Sequence, residues 1–223
     1  MKVLDALFMF RGIGLCSNIY VFWTPGKKVV MIDTGNGASE NSISEMFKKY
    51  SIPLRRIEYI FLTHSHEDHI SGVKEVLLYS NPIIVAHENT FSHLERLIGK
   101  LDTSRLVRAV DGQVIKTEYG SFRIIYTPGH TLDSICILNE DLKALFTGDT
   151  VFTGGFYGRT DLPTGDLTQM RKSLSRLLSI KVKYMFPGHG PYLKGEDSIR
   201  KNISEALSAA SMEESENEYP VII

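Results

Sequence analysis

The stretch of sequence that decides the fold reads Thr63-His64-Ser65-His66-Glu67-Asp68-His69. It directly follows an apolar, β-prone run at 57–62, so its histidines come at the end of a predicted strand. Residues two apart in an extended chain point to the same side, so His64 and His66 can bind one metal ion together. Asp68 and His69 lie where the chain turns into a predicted helix. Their side chains therefore leave in another direction, which suits a second ion nearby.

Three further predicted strands end in the same kind of polar turn. Those turns read Pro128-Gly129-His130, Gly148-Asp149 and Pro187-Gly188-His189, and five of the seven histidines lie in the four turns. Ligand sites collect at the carboxyl ends of strands, and imidazole and carboxylate are donors that zinc and neighbouring transition metals accept. The candidate metal ligands are His64, His66, Asp68, His69, His130, Asp149 and His189.

The number of candidate ligands indicates two ions rather than one. A two-ion site needs roughly six protein ligands plus water. Asp149 is a lone carboxylate whose two oxygens can bridge both ions. His87 follows a strand without a glycine turn, and His93 lies in a predicted helix, so both histidines are predicted to be structural.

The periodicity of apolar residues predicts strands and helices mixed along the whole chain, with helices on the outer faces of sheets. The predicted helices are 40–50, 68–80, 88–108 with a break near Gly99, 166–178 and 196–210. The predicted strands are 18–23, 29–32, 57–62, 83–85, 122–126, 134–138, 143–146 and 183–186. We expect one domain over 1–223, with a frayed acidic tail at 212–223.

Composition excludes several classes of protein. The 223 residues carry 25 Lys and Arg against 26 Asp and Glu, and 43% are hydrophobic, so neither disorder nor a dedicated nucleic-acid binder is expected. No apolar run approaches the ~20 residues of a membrane span, and the first residues do not read as a signal peptide. Only Cys16 and Cys136 are present, which favours a reduced, cytoplasmic setting. Monomer and homodimer both stay open.

The motifs and their order resemble the metallo-β-lactamase superfamily, from Asn18 through 31–35 to 187–191. The resemblance implies an α+β fold, a four-layer αββα sandwich of mixed sheets with the metals at one edge. It assigns His64, His66 and His130 to one ion, and Asp68, His69 and His189 to the other, with Asp149 bridging. It also places Asp33 behind the site, where it orients ligands without binding metal.

Within that superfamily, 146–150 followed by Gly158-Arg159-Thr160-Asp161 is similar to the small glyoxalase II-like hydrolases. This similarity implies two divalent metal ions, with zinc favoured over iron or manganese. A hydroxide generated at the metals would attack a thioester or related acyl carbonyl, while Asp68 or Asp149 holds the nucleophile in position. Glutathione is not specifically indicated, because 131–134 lack the usual Pro-Gly and the region after His189 is short.

Tyr157 and Arg159 follow Asp149 on a glycine-rich loop and are candidate substrate contacts. An equally good alternative is that Arg159 pairs with Asp161 or Asp166 and fixes the loop.

Other functions use the same scaffold. Persulfide dioxygenases resemble this subgroup and would hold one iron with His64, His130 and Asp149. The retained 187–190 sequence, Pro-Gly-His-Gly, favours the hydrolase. A lactonase needs the same ligands, and a non-catalytic metal-binding scaffold is a further alternative. A nuclease is disfavoured because no inserted domain or basic stripe is visible. The expected partner is a small acyl substrate, with no nucleic acid and no membrane.

Overall fold

The first of two sheets is built from strands that follow one another in the chain. The computed structural model describes residues 1–217. Its first sheet has the order β1-β2-β3-β4-β5-β6, antiparallel from β1 to β3 and parallel from β3 to β6. The strands are β1 Leu7–Phe10, β2 Ile19–Phe22, β3 Val29–Ile32, β4 Ile57–Phe61, β5 Ile83–Ala86 and β6 Leu106–Arg108.

The second sheet has the order β12-β11-β10-β9-β8-β7, and all its pairs are antiparallel except β10 with β11. Its strands are β7 Val114–Thr117, β8 Gly120–Tyr126, β9 Ile135–Asn139, β10 Ala144–Gly148, β11 Tyr184–Pro187 and β12 Leu193–Lys194. Strands β8, β10 and β11 therefore run in the same direction, so their carboxyl ends meet at one edge.

Three apolar layers hold the two sheets and the helices together. Strand β2 shows the alternation that produces them, because Tyr20 and Phe22 pack between the sheets while Ile19 and Val21 contact the outer helices. Helices α1 to α4 cover the first sheet, and α5 and α6 cover the second. The helices are α1 Ile43–Lys49, α2 Glu67–Ile70, α3 Val73–Leu77, α4 Glu88–Ile98, α5 Leu167–Leu177 and α6 Glu196–Asn217. The layering is the αββα sandwich that the resemblance of the sequence motifs implies.

The structure corrects two of the predicted helices. The helix predicted at 68–80 is divided into α2 and α3 at Gly72, where a Cβ atom would lie 2.0 Å from the Thr34 carbonyl oxygen. The helix predicted at 88–108 is wrong beyond Gly99, which ends α4 with a φ of 85°. Strand β6 forms there instead, because its backbone pairs with β5, a tertiary contact that overrides local pattern.

The chain's last helix is longer than predicted. Helix α6 continues to Asn217, so part of the tail predicted to be frayed is helical, and 218–223 lie outside the described residues. Within residues 1–217, no helix combines the length and the apolar character needed to cross a membrane.

The packing of aromatic rings between the sheets leads to a prediction about stability. Phe146 is fully buried, with ring centroids 5.1 Å from Tyr20 and 5.0 Å from Phe186. We expect Phe146→Ala to lower the free energy of unfolding by about 3–5 kcal/mol. Phe156→Ala is the matched control, because that ring is 67% exposed, and it should change stability by no more than ~0.5 kcal/mol. Urea unfolding of the metal-free proteins checks this, and equal losses would contradict it.

Candidate metal centre

The seven predicted ligands come together at one edge of the sandwich, between the two sheets. The segment after β4, a loop followed by α2, brings four of them, and the loops after β8, β10 and β11 bring His130, Asp149 and His189. Strand β4 and these three strands thus present their carboxyl ends to one site, as expected for ligand sites in sheets with helical connections.

Three imidazoles form the first group of donors. His66 Nδ1 lies 3.1 Å from His64 Nε2 and 2.9 Å from His130 Nε2. Such a group, with its ligand atoms all within 4.8 Å of one another, can hold one metal ion.

A second group mixes imidazole and carboxylate donors. His69 Nε2 lies 3.4 Å from His189 Nε2, and Asp68 Oδ2 lies 3.1 Å from the same His189 nitrogen. These three residues also converge closely enough to hold an ion.

The Asp149 carboxylate lies between the two groups. Its Oδ2 is 3.6 Å from His130 Nε2 in the first group and 3.5 Å from His189 Nε2 in the second. Its Oδ1 is 3.3 Å from His69 Nε2, and His64, His69 and Asp149 form a third, overlapping group. One carboxylate therefore faces both groups of donors.

Two features of the site fit divalent cations. Asp149 Oδ1 is buried and accepts no hydrogen bond from any described residue. Buried carboxylate oxygens normally have a partner, so this one is available to a cation. A Cβ atom at Gly188 would lie 2.1 Å from Asp149 Oδ1 and 2.7 Å from His69 Cε1. Glycine at 188 thus keeps the space beside both ligands free.

The electrostatics of the site agree with this fit. Burial, together with the charge of His69, lowers the pKa of His64 well below its usual value, so His64 is the neutral imidazole that a metal requires. Burial opposes the charged form of His69, yet Asp149 and Asp33 together raise the pKa of His69 well above its usual value. The carboxylates therefore favour positive charge at the position where a metal would supply it.

Asp33 lies behind the site and holds two of its residues in place. Its Oδ2 lies 2.8 Å from His69 Nδ1 and accepts a hydrogen bond from Thr63 Oγ1, while Oδ1 accepts one from the Thr63 backbone N–H. Since Thr63 Oγ1 donates to Asp33, it can accept from His64 Nδ1, which lies 3.1 Å away. These contacts leave Nε2 of both histidines free for metal.

The loop with the two predicted substrate contacts supports His130 through its backbone. The Arg159 carbonyl oxygen lies 2.8 Å from His130 Nδ1, which leaves His130 Nε2 for metal. The Arg159 guanidinium donates two hydrogen bonds to Asp161, at 2.9 and 2.7 Å, and is 71% exposed. The structure thus shows the pairing alternative for Arg159. Tyr157 is half-buried against the layer under α5 and α6. Substrate contact by either side chain stays a prediction.

Sequence reasoning missed the residues that hold the His189 loop. The Asn18 backbone N–H donates to the Gly188 carbonyl, and its side-chain amide donates to the carbonyls of Pro187 and Gly190. The buried Tyr20 hydroxyl also donates to Pro187, at 2.6 Å. The available signal was a polar residue at the start of an apolar strand, which by itself has no specific meaning.

The two histidines predicted to be structural lie outside the ligand groups of residues 1–217. His87 Nδ1 accepts a hydrogen bond from the Asn89 N–H and so caps α4. Its ring stacks on Tyr126, with centroids 5.5 Å apart. His93 Nδ1 lies 3.0 Å from the Asn89 carbonyl oxygen within α4.

Comparison with known proteins identifies the class to which this fold and site belong. Residues 14–189 match the family described as the Metallo-beta-lactamase superfamily. The chain belongs to that superfamily, as the sequence motifs predict. The structure of the BLEG-1 B3 metallo-beta-lactamase is similar, with a TM-score of 0.70 and 23% identity over 91% of this chain and 96% of that one.

Three curated relatives are hydrolases by name. A probable metallo-hydrolase of Methanocaldococcus jannaschii is 34% identical over 82% of this chain and 92% of its own length. The thioesterase pkgB of Emericella nidulans is 32% identical over 86% of this chain. A hydroxyacylglutathione hydrolase of Francisella tularensis subsp. novicida is 34% identical over 64% of it. The chain spans about half the length of the last two, 51% and 53%. These names agree with the predicted class, a metal-dependent hydrolase.

The first group of donors makes a prediction about metal content. His64→Ala and His130→Ala should each reduce bound metal, because each removes a nitrogen that lies within 3.1 Å of His66 Nδ1. His87→Ala is the matched control and should keep the wild-type content, since His87 caps a helix. Metal analysis of the purified proteins checks this. Full loading in either of the first two variants, or loss in the third, would overturn the ligand assignment.

The contacts behind the site make a separate prediction. Asp33→Asn keeps the size of the side chain but removes the charge that faces His69 Nδ1 at 2.8 Å. We expect metal affinity to fall by about 10–100-fold, the usual effect of losing a partner of a ligating histidine. Titration with a chelator that competes for metal checks this. An unchanged dissociation constant would show that Asp33 does not orient His69.

Proposed function

We propose that the protein is a dinuclear-metal hydrolase that cleaves a thioester or related acyl bond. The observation that carries this proposal is that Asp149 faces two groups of donors at once, with its oxygens 3.3–3.6 Å from His69, His130 and His189. A site of this kind suits two ions that share one carboxylate. The thioesterase and hydrolase names of its relatives support the reaction class.

The proposed reaction needs no nucleophilic side chain. Two divalent ions bound at the site would lower the pKa of water and polarise the substrate carbonyl. In hydrolysis, the oxygen of water bonds to the acyl carbon, the carbon–sulfur bond breaks, and the departing thiolate takes up a proton. Asp68 is the better-exposed carboxylate, at 29% against 9% for Asp149. Burial raises the pKa of Asp68, but the hydrogen bond with His189 and the charges of His69 and His189 together outweigh burial and lower it, which keeps Asp68 ionised to orient the nucleophile.

The donor atoms of the site indicate the class of metal, and the two cysteines bear on the location. We propose zinc as the metal, with iron or manganese as alternatives, because imidazole and carboxylate donors suit all three. The partner is a small acyl compound. The location is cytoplasmic, in keeping with Cys16 and Cys136, which are both free thiols.

The test of this function is Asp149→Asn on a panel of acyl thioesters and lactones. The amide keeps the shape of the side chain but removes the charge that offsets two cations. We expect fewer than two bound ions per chain and a turnover at least ~10²-fold lower than that of the wild type. Metal analysis measures the first effect, and thiol release from the thioesters and acid release from the lactones measure the second. Two retained ions with wild-type turnover would mean that Asp149 is not shared between ions.

Oxygen consumption separates the hydrolase from the dioxygenase. Wild-type protein should contain two ions, release thiol from a thioester and consume no O₂ with a persulfide substrate. A single bound iron with O₂ consumption would replace the hydrolase proposal by the dioxygenase. Metal-loaded protein that acts on neither substrate class would leave a metal-binding scaffold.

A further inference from the structure

A cleft of about 400 Å³ lies beside the metal centre and reaches one of its ligands, His66. Helix α4 and residues 162–164 both line the cleft. The α4 residues in the lining are Asn89, Ser92, His93 and Arg96.

The four α4 residues share one face of the helix, because they are spaced i, i+3, i+4 and i+7. His93 uses Nδ1 on the Asn89 carbonyl, so its Nε2 is available to a ligand. Arg96 is exposed and forms neither a hydrogen bond nor an ion pair with any residue in 1–217. One wall of the cleft therefore carries an unpaired guanidinium beside neutral hydrogen-bonding groups.

Other residues of the lining provide apolar surface and one carboxylate. Leu132, which is 50% exposed, and the neighbouring Leu162 and Pro163 provide apolar surface. Asp133 is the carboxylate in the lining. It is only 3% exposed, and its Oδ2 accepts a hydrogen bond of 2.7 Å from Thr90. The exposed charge of the cleft is therefore the positive charge of Arg96.

We propose that this cleft binds the substrate and that Arg96 recognises a carboxylate carried by the acyl or the thiol part. The guanidinium presents a planar pair of donors that matches such a group. The apolar side chains of Leu132 and Leu162 would contact the aliphatic part of the same molecule. This inference rests on the proposed function, since it names the substrate class of that site.

Binding of thioether analogues tests the inference without requiring hydrolysis. Three short dialkyl thioethers serve as probes: one neutral, one with a carboxylate on the chain that replaces the acyl group, and one with a carboxylate on the thiol side. Ligand-observed NMR gives their dissociation constants for metal-loaded wild type, Arg96→Gln and Arg55→Gln. Arg55 is a matched control, because it is exposed and precedes β4, at the end of that strand opposite the site.

We expect one charged probe to bind wild type at least ~10-fold more tightly than the neutral probe, the effect of a charge-assisted hydrogen bond. Arg96→Gln should abolish that preference and leave the neutral probe unchanged, while Arg55→Gln keeps it. The side that carries the effective carboxylate identifies the part of the substrate that is charged. Carboxylate binding directly to metal would survive in Arg96→Gln, and a preference that survives there overturns the inference.

The outcomes for the inference and for the proposed function are separate. Equal affinity of the three probes for wild type overturns the inference, even when thioesters are hydrolysed. An Arg96-dependent preference in a protein that hydrolyses no thioester supports the anion site and overturns the proposed function. Circular dichroism of both variants shows that each remains folded.

Discussion

The arrangement of the site depends on the contacts that the Asp33 carboxylate makes with Thr63 and His69. Asp33 lies just after β3, with a φ of 57°, and holds both Thr63 at the end of β4 and His69 in α2. A left-handed backbone is unfavourable for most residues, but Asp tolerates it better than most. The strain is offset because Thr34, the next residue, donates from its backbone N–H and its hydroxyl to the His69 carbonyl. The segment of loop and α2 that carries four of the candidate ligands is thereby held by hydrogen bonds within the protein.

A second connection fixes the opposite side of the site. Asn18 and Tyr20, on the first sheet, bind the backbone of the loop that carries His189 on the second sheet. Between them the ring of Tyr20 packs on Phe146 and Phe186. The apolar layer and the polar connection therefore act together: the layer sets the separation of the sheets, and the hydrogen bonds set the position of one ligand loop. The candidate ligands come from both sheets, so their grouping requires the two sheets to hold these loops close together.

That the seven candidate ligands come together could be predicted from the sequence because each follows the end of a strand, by at most eight residues, and the signal is local. The same reasoning failed at β6, where pairing with β5 decides the structure and residues 106–108 show no distinct pattern. It also left the role of Arg159 undecided, because the pairing of Arg159 with Asp161 depends on the conformation of the loop. The α4 wall carried no motif at all. Asn89, Ser92, His93 and Arg96 share one helix face, but only the structure shows that they line a cleft together with 162–164.

The direction of α4 limits how a substrate can lie in the cleft. Strand β5 runs parallel to β4, so α4, which begins soon after β5 ends, starts at the edge that holds the metal ligands. The helix then runs away from that edge, and its rise of about 1.5 Å per residue puts Arg96 about 10 Å farther along the helix than Asn89. His66 belongs to both the cleft and the first ligand group. An anionic group held by Arg96 would therefore be separated from a carbonyl near His66 by an aliphatic spacer, and Leu132, Leu162 and Pro163 offer apolar surface to that spacer. A very short acyl compound could not contact both ends of this cleft at once.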